Sequence, residues 1–323
     1  MLMMVSEVGE TFVNLNLDSI DSENTVANAV LPPHILPSVI YRYVTFDLLP
    51  ASSLLTALDL KPYESPRQWP PARKQCTIWL CCGAACMAAY AASSYTAPAT
   101  EMAREWQVSE MAIHFGTTAF CSGFAVAPMV LAPVSEMKGR YAVLAASGCV
   151  FMVSLVGCAT ANSYIGMMIW RLWTGVGSSA FSAVVGGVVS DLYCAEERNT
   201  PMAIFAGSSM FGIGMGPVVS STIVQNAHWR WVFWIQAIVC GSILLVIILL
   251  FKETRSSVIL SRKAEYLNRW NEEHESAGHP WLENLEWNRS VRWKVQTDGD
   301  RSSIGKMILI SLSRPFSKSK NWF

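Results

Sequence analysis

Apolar residues fill six long stretches in the middle of the chain, near 76–96, 111–131, 142–160, 164–189, 201–224 and 230–251. Most charged residues lie in the short gaps between them and in the two ends. Each stretch matches the ~20 helical residues needed to cross a hydrocarbon core of about 30 Å. The pattern predicts an all-α membrane protein built as a bundle of six transmembrane helices. Residues 1–72 are rich in Asp, Glu, Ser, Asn and Pro without a steady period and are expected to form a disordered cytoplasmic tail. Residues 73–251 form the bundle, and 252–323 a charged cytoplasmic tail. Within that tail Leu260 to Glu275 reads as an amphipathic helix, basic first and acidic later, either solvated or lying on the membrane surface. Ile304 to Leu312 is apolar but too short to span.

Composition agrees with the pattern. The chain is 52% hydrophobic and 15% charged, with mean hydropathy +0.30, against about 25% charge in a soluble chain. Twenty-four basic and twenty-four acidic residues leave no net charge, which gives no footing for nucleic acid. The start of the chain lacks the basic and then apolar form of a cleaved signal, so the first span is expected to act as an uncleaved anchor. Basic residues mark the cytoplasmic side. Arg67, Arg73 and Lys74 precede the first span, Lys138 and Arg140 follow the second, Arg198 follows the fourth, and Lys252, Arg255, Arg262 and Lys263 follow the sixth. These place the N-terminus in the cytosol. Asn288-Arg-Ser290 has the form of a glycosylation acceptor but faces the cytosol on this topology and is expected to be unmodified.

Eight of the nine cysteines fall in or beside apolar spans, and Cys194 lies in a loop. Neither metal-ligand spacing nor a disulfide framework is present, so they read as small packing residues, and no metal or cofactor is expected. No phosphate-cradling loop and no Gly-x-Ser-x-Gly elbow appears. His114, the single histidine within a span, is shallow. Enzymatic readings are set aside on these grounds.

Three features carry functional interest. The stretch from Leu131 to Tyr141 reads as a short charged turn between two spans, with Glu136, Lys138, Gly139 and Arg140. Arg171 lies about one-third of the way along the fourth span, where a charge is costly and is kept for a pathway or a partner. Snorkelling is the competing reading, since Trp170 and Trp173 flank it. Small residues crowd the fourth and fifth spans, including Gly175, Gly212 and Gly216, as close helix packing in lipid requires. Pro217 predicts a kink, and Gln236 in the sixth span is a further candidate for a cavity.

Together these residues resemble the major facilitator superfamily, and within it the fungal drug:proton antiporter branch of multidrug and polyamine exporters. Ala132-Pro-Val-Ser-Glu136-Met-Lys-Gly139-Arg140 is similar to that family's loop between spans two and three. Arg171-Leu-Trp-Thr-Gly175-Val-Gly177 is similar to its fourth-span motif, and Gly212-Ile-Gly-Met-Gly216-Pro217 to its fifth-span antiporter motif. Trp229-Arg-Trp-Val-Phe-Trp-Ile235 and Lys252-Glu253-Thr254 resemble the flanks of its sixth span. The chain departs from the pattern at Ala132, Tyr141 and Ser220-Ser221.

The resemblance implies a six-helix bundle equivalent to the N-terminal half of a facilitator fold, with the chain ending before a seventh span. It implies proton-coupled efflux of a small organic compound, whether drug, polyamine or secondary metabolite. It assigns Arg171 and Gln236 to proton coupling and the central cavity. It assigns Glu136, Gly139, Arg140, Asp191 and Arg198 to a cytoplasmic latch. There Arg140 pairs with Asp191, and Glu136 faces a helix N-terminus in the opposite half. Gly175, Gly212, Gly216 and Pro217 shape helices. The implied partners are a small-molecule substrate, protons, the lipid bilayer and a second half-transporter or second copy. The implied location is the plasma membrane or the vacuolar membrane. The alternative is a non-transporting membrane protein that binds or regulates a full-length relative, or an inactive truncated product.

Overall fold

The computed structural model describes residues 39–46, 63–276 and 290–295. In chain order its elements are β1 (Val39–Tyr43), α1 (Pro71–Ser93), α2 (Ala99–Trp106), α3 (Glu110–Lys138), α4 (Arg140–Thr160) and α5 (Tyr164–Leu192). There follow α6 (Asn199–Asn226), α7 (Arg230–Leu250), α8 (Ser256–Ser276) and β2 (Ser290–Lys294). Short 3-10 turns occupy Pro66–Gln68, Ser94–Thr96 and Ala195–Glu197. Six helices, α1 and α3 to α7, are long and apolar enough to cross a membrane. α1 opens on proline, whose missing N–H is one of the unpaired donors of any helix start.

The stretch 131–141 is not a loop. Leu131 to Lys138 continue α3, through Pro133, and the reversal into α4 is the single residue Gly139, at φ 103° and ψ 157°. Hydropathy fades before the helix does, because Glu136 and Lys138 are exposed while Pro133 and Ser135 stay buried. Polar residues on the free face cost the helix none of its backbone hydrogen bonds.

α5 is the most enclosed span, packed between α3 and α4 and touching α1; α1 packs on α6, and α4 on α7. Backbone proximity explains the glycines of α5. A Cβ on Gly175 would meet the Phe120 carbonyl of α3, and one on Gly177 the Phe151 backbone of α4. Along α6, Gly212, Gly216 and Ser220 form one buried stripe, with Gly212 over the Cys86 carbonyl and Gly216 over the Ser93 side chain of α1. Dispersion at such short range holds helices together in lipid, where apolar burial cannot. α6 runs unbroken through Pro217, so the expected kink does not interrupt it. A membrane helix tolerates the single lost hydrogen bond. α3 and α6 are the least enclosed spans.

The segment 1–72 is not irregular throughout. β1 pairs in parallel with β2, from Val39 opposite Ser290 to Tyr43 opposite Lys294. Val44 and Val295 extend this pair and pack with Ala264 and Leu267 of α8. The Lys263 ammonium donates to the Thr45 carbonyl at 3.1 Å. Asn268 exchanges two hydrogen bonds with the Trp293 backbone, at 2.7 and 2.9 Å. A chain segment before the bundle is thus clasped to the helix that follows it. The expectations for residues 1–38, for Asn288 and for Ile304 to Leu312 lie outside the described residues.

Candidate functional site

At one end of the bundle the start of α4, the end of α5 and the segment after α7 meet in a charged network. α4 begins after Gly139 without a side-chain cap of its own, which leaves N–H groups unpaired at the positive end of the helix dipole. The Glu253 carboxylate fills that place. It accepts the Arg140 N–H at 2.8 Å and the Tyr141 N–H at 3.3 Å. It also accepts the N–H groups of Thr254 and Arg255, at 3.1 and 2.9 Å. A Cβ on Gly139 would collide with this carboxylate. The turn therefore needs glycine for its conformation and for its space.

The Arg140 side chain is buried. Its Nε approaches Asp191 Oδ2 at 3.3 Å and its Nη1 donates to Ser135 Oγ at 3.1 Å. Gly187 leaves room for the guanidinium to lie across α5. Asp191 holds a second cation, Arg255 Nη1, at 3.6 Å through its other oxygen. A buried charge needs a partner of opposite sign and filled hydrogen bonds. Here Asp191 pairs with both guanidiniums, Glu253 fills backbone donors, and Arg255 Nε is left without a partner among the described residues.

Two residues assigned to the latch stand outside this network. Arg198 donates to the carbonyls of Tyr193 and Ser190, both at 3.2 Å, and so caps the end of α5. Glu136 is exposed on the last turn of α3 and has no hydrogen bond or ion pair among the described residues. Glu253, Arg255, Ser135 and Gly187 join the network without having been assigned to it by the sequence. The Lys252-Glu253-Thr254 motif was the available signal, but it marked only the end of a span.

Toward the opposite end, Arg171 is fully buried, which excludes snorkelling to the interface. Nη1 donates to the Ala91 carbonyl at 3.0 Å, near the negative end of α1. The guanidinium carbon stands 3.9 Å from the Tyr95 ring centre and 4.9 Å from that of Phe233, in favourable cation–π contact. Nε and Nη2 have no partner among the described residues. Gln236 is also buried; its Nε2 donates to Ser94 Oγ and its Oε1 has no partner. Both side chains are enclosed by protein in this structure. Side chains of the Ser94–Thr96 turn cover both. His114 is exposed on α3.

A second ionic cluster closes that end. Glu105 of α2 accepts from Trp229 Nε1 at 2.6 Å and from Arg230 Nη2 at 3.0 Å. Trp106 meets Trp229 edge to face at 5.5 Å. Among the described residues no group of His, Cys, Asp or Glu could hold a metal ion.

Comparison with known proteins names the architecture. The sequence model of the Major Facilitator Superfamily matches residues 79–312. The chain belongs to the major facilitator superfamily. It is 28% identical over 253 residues to the transporter paaT of Penicillium rubens, covering 78% of this chain and 43% of that protein. It is 27% identical over 206 residues to the efflux pump radE of Floropilus chiversii, covering 64% and 38%. It is 31% identical over 202 residues to a transporter of the trichosetin biosynthesis cluster of Gibberella fujikuroi, covering 62% and 42%. Among solved structures the proton:xylose symporter XylE bound to 6-bromo-6-deoxy-D-glucose matches with a TM-score of 0.53 at 15% identity. That match covers 59% of this chain and 50% of XylE. This shows the facilitator fold, a multi-pass membrane architecture. The chain spans about two-fifths of the length of these curated relatives. Its six spanning helices correspond to half of a facilitator.

Proposed function

We propose that this chain forms the N-terminal half of a fungal-type facilitator that exports a small organic compound in exchange for protons, with its N-terminus in the cytosol. The observation that carries this reading is Arg171, a buried cation with no carboxylate partner among the described residues. A static bundle has no use for such a group, whereas a charge-coupled transporter does. The Arg140–Asp191–Arg255 network is the cytoplasmic latch of this reading. Its contacts hold one arrangement of the helix ends, and their release gives the other, as in two packings a few kcal/mol apart. Relatives described as an efflux pump and as a transporter in a biosynthesis cluster support export of a small metabolite. A plasma or vacuolar membrane fits that role.

A second reading rests on the exposed faces of α3 and α6. Met111, Phe115 and Val126 on α3, and Met210, Phe211 and Val218 on α6, are exposed. These faces suit another six-helix half, either a second copy or a full-length relative, and the chain then acts by binding rather than by transport.

One experiment separates the two. The purified chain is reconstituted into liposomes with an imposed pH gradient, and efflux of a panel of fluorescent organic compounds is followed, with Arg171→Ala as the comparison. Gradient-dependent transport that Arg171→Ala abolishes, with the variant still correctly inserted, supports the transporter. Transport unchanged by Arg171→Ala overturns the coupling role. No transport by either protein, with stable association to a second half, favours the binding reading.

A further inference from the structure

We propose that the buried edge of Arg171 is a binding site for the carboxylate of a small organic acid. The proposal deepens the transporter reading by naming a class of cargo, and rests on that reading for the word cargo alone.

A guanidinium offers donors on three edges. In Arg171, Nη1 is used by the Ala91 carbonyl at 3.0 Å, and the two ring faces of Tyr95 and Phe233 cover the plane. The atoms left without partners are Nε and Nη2. These two share one edge, and their N–H bonds run parallel, the fork that accepts both oxygens of a carboxylate at once. Both atoms lack a hydrogen-bond partner among the described residues while the whole residue has no exposure.

Charge points the same way. No ion pair to Arg171 forms among the described residues. The titratable groups that act on it electrostatically are Cys158 and Tyr95, neither of them a carboxylic acid. Aromatic faces and the α1 carbonyl ease the burial of a cation but do not neutralise it, and uncompensated buried charge is strongly unfavourable. An anion at the free edge would supply both the missing charge and the missing acceptors.

The walls favour an organic acid over a bare inorganic ion. Tyr95, Phe233 and Met167 bring apolar surface to this region, while the Tyr95 hydroxyl adds a donor without a partner among the described residues. Gly116 seats the Tyr95 ring, since a Cβ there would collide with it. Tyr95 and Ser94 belong to the short turn that ends α1.

The test uses the full chain in lipid nanodiscs, with thermal unfolding as readout and ionic strength held fixed. Benzoate is titrated against benzamide, its uncharged analogue of similar shape, and against chloride. The expected result is a saturable rise in unfolding temperature with benzoate alone. Arg171→Gln abolishes the rise. Arg171→Lys, which keeps the charge but loses the fork, weakens benzoate at least about tenfold; this variant serves if Arg171→Gln does not fold. No rise with benzoate, an equal rise with benzamide or chloride, or an undiminished rise in both variants overturns the site and leaves the edge to water. Benzoate that binds but is not carried in liposomes leaves the site standing and removes its role as cargo. Transport of other compounds without benzoate binding has the opposite meaning.

Discussion

Glu253 accepts the backbone N–H of Arg140 at 2.8 Å, across 113 positions of sequence. The end of the sixth span thereby caps the start of the third. The same segment carries Arg255, which shares Asp191 with the Arg140 side chain. Any motion that carries the segment after α7 away from α4 must break a helix cap and an ion pair together. That coupling makes this end of the bundle suited to two discrete arrangements rather than a continuous range.

Gly139→Ala is expected to destabilise the fold. Its backbone, at φ 103° and ψ 157°, lies in a region open essentially to glycine alone, at a cost of about 1–3 kcal/mol to other residues. The added methyl also strikes the Glu253 carboxylate. Thermal unfolding in detergent should show a clear drop, and Glu253→Ala in the same background should recover little of it, since the strain is in the backbone. Full recovery would assign the effect to the collision instead.

Asp191→Asn should cost far more than Arg255→Gln. Asp191 is the counter-charge of the buried Arg140, and removing one partner of a buried pair costs about 3–5 kcal/mol. Arg255 is 30% exposed at its side chain. Its loss leaves the Arg140 pair intact, so an effect below about 1 kcal/mol is expected, in the range of a solvent-screened pair. Denaturation of the two variants side by side checks the order. Equal losses would mean that Arg255 carries as much of the network as Arg140.

The six spans were legible because a long apolar run has few other uses, and the Arg140–Asp191 contact was reachable through a family resemblance. The end of α3 was not, since Glu136 and Lys138 look like loop residues although the helix beneath them continues. Glu253 stands in a recognisable motif, but nothing in that motif gives it a partner. A cap supplied from a distant segment leaves no local pattern, unlike a Ser or Asp at the helix start. The pairing of β1 with β2 lies still further beyond local reading. Val39 and Ser290 meet across most of the chain, and two short strands carry no periodicity that singles out one partner. Arg171 was recognised as a costly charge, but its closure by Tyr95 and Phe233 depends on where the turn after α1 folds.

Asn268→Ala should loosen the clasp without disturbing the spans. The side chain makes both polar contacts between α8 and the Trp293 backbone, each worth about 0.5–1.5 kcal/mol. Amide exchange at residues 290–295 and 39–45 should quicken together, because the paired strands lose two of their polar contacts with α8 while those of Lys263 and Glu272 remain. Exchange in α4 and α5 should stay unchanged. Quickening at β2 alone would show that the Lys263 contact to Thr45 is enough to hold β1.

Gly216→Leu and Gly214→Leu, two positions apart on α6, should behave oppositely. Gly216 is buried against Ser93 at the end of α1, so a larger side chain there pushes the two helices apart. Overpacking of this kind costs about 1–3 kcal/mol. Gly214 has open space around the place of its missing Cβ, and leucine there, a better helix former than glycine, should be neutral or slightly stabilising in the isolated chain. Unfolding temperatures in detergent make the first comparison. The second uses the chain joined to another six-helix half. If the exposed face of α6 meets that half, Gly214→Leu should then become harmful while the Gly216→Leu penalty stays the same. A Gly214→Leu variant that is harmless in both settings would place the contact between halves elsewhere and leave the α6 face to lipid.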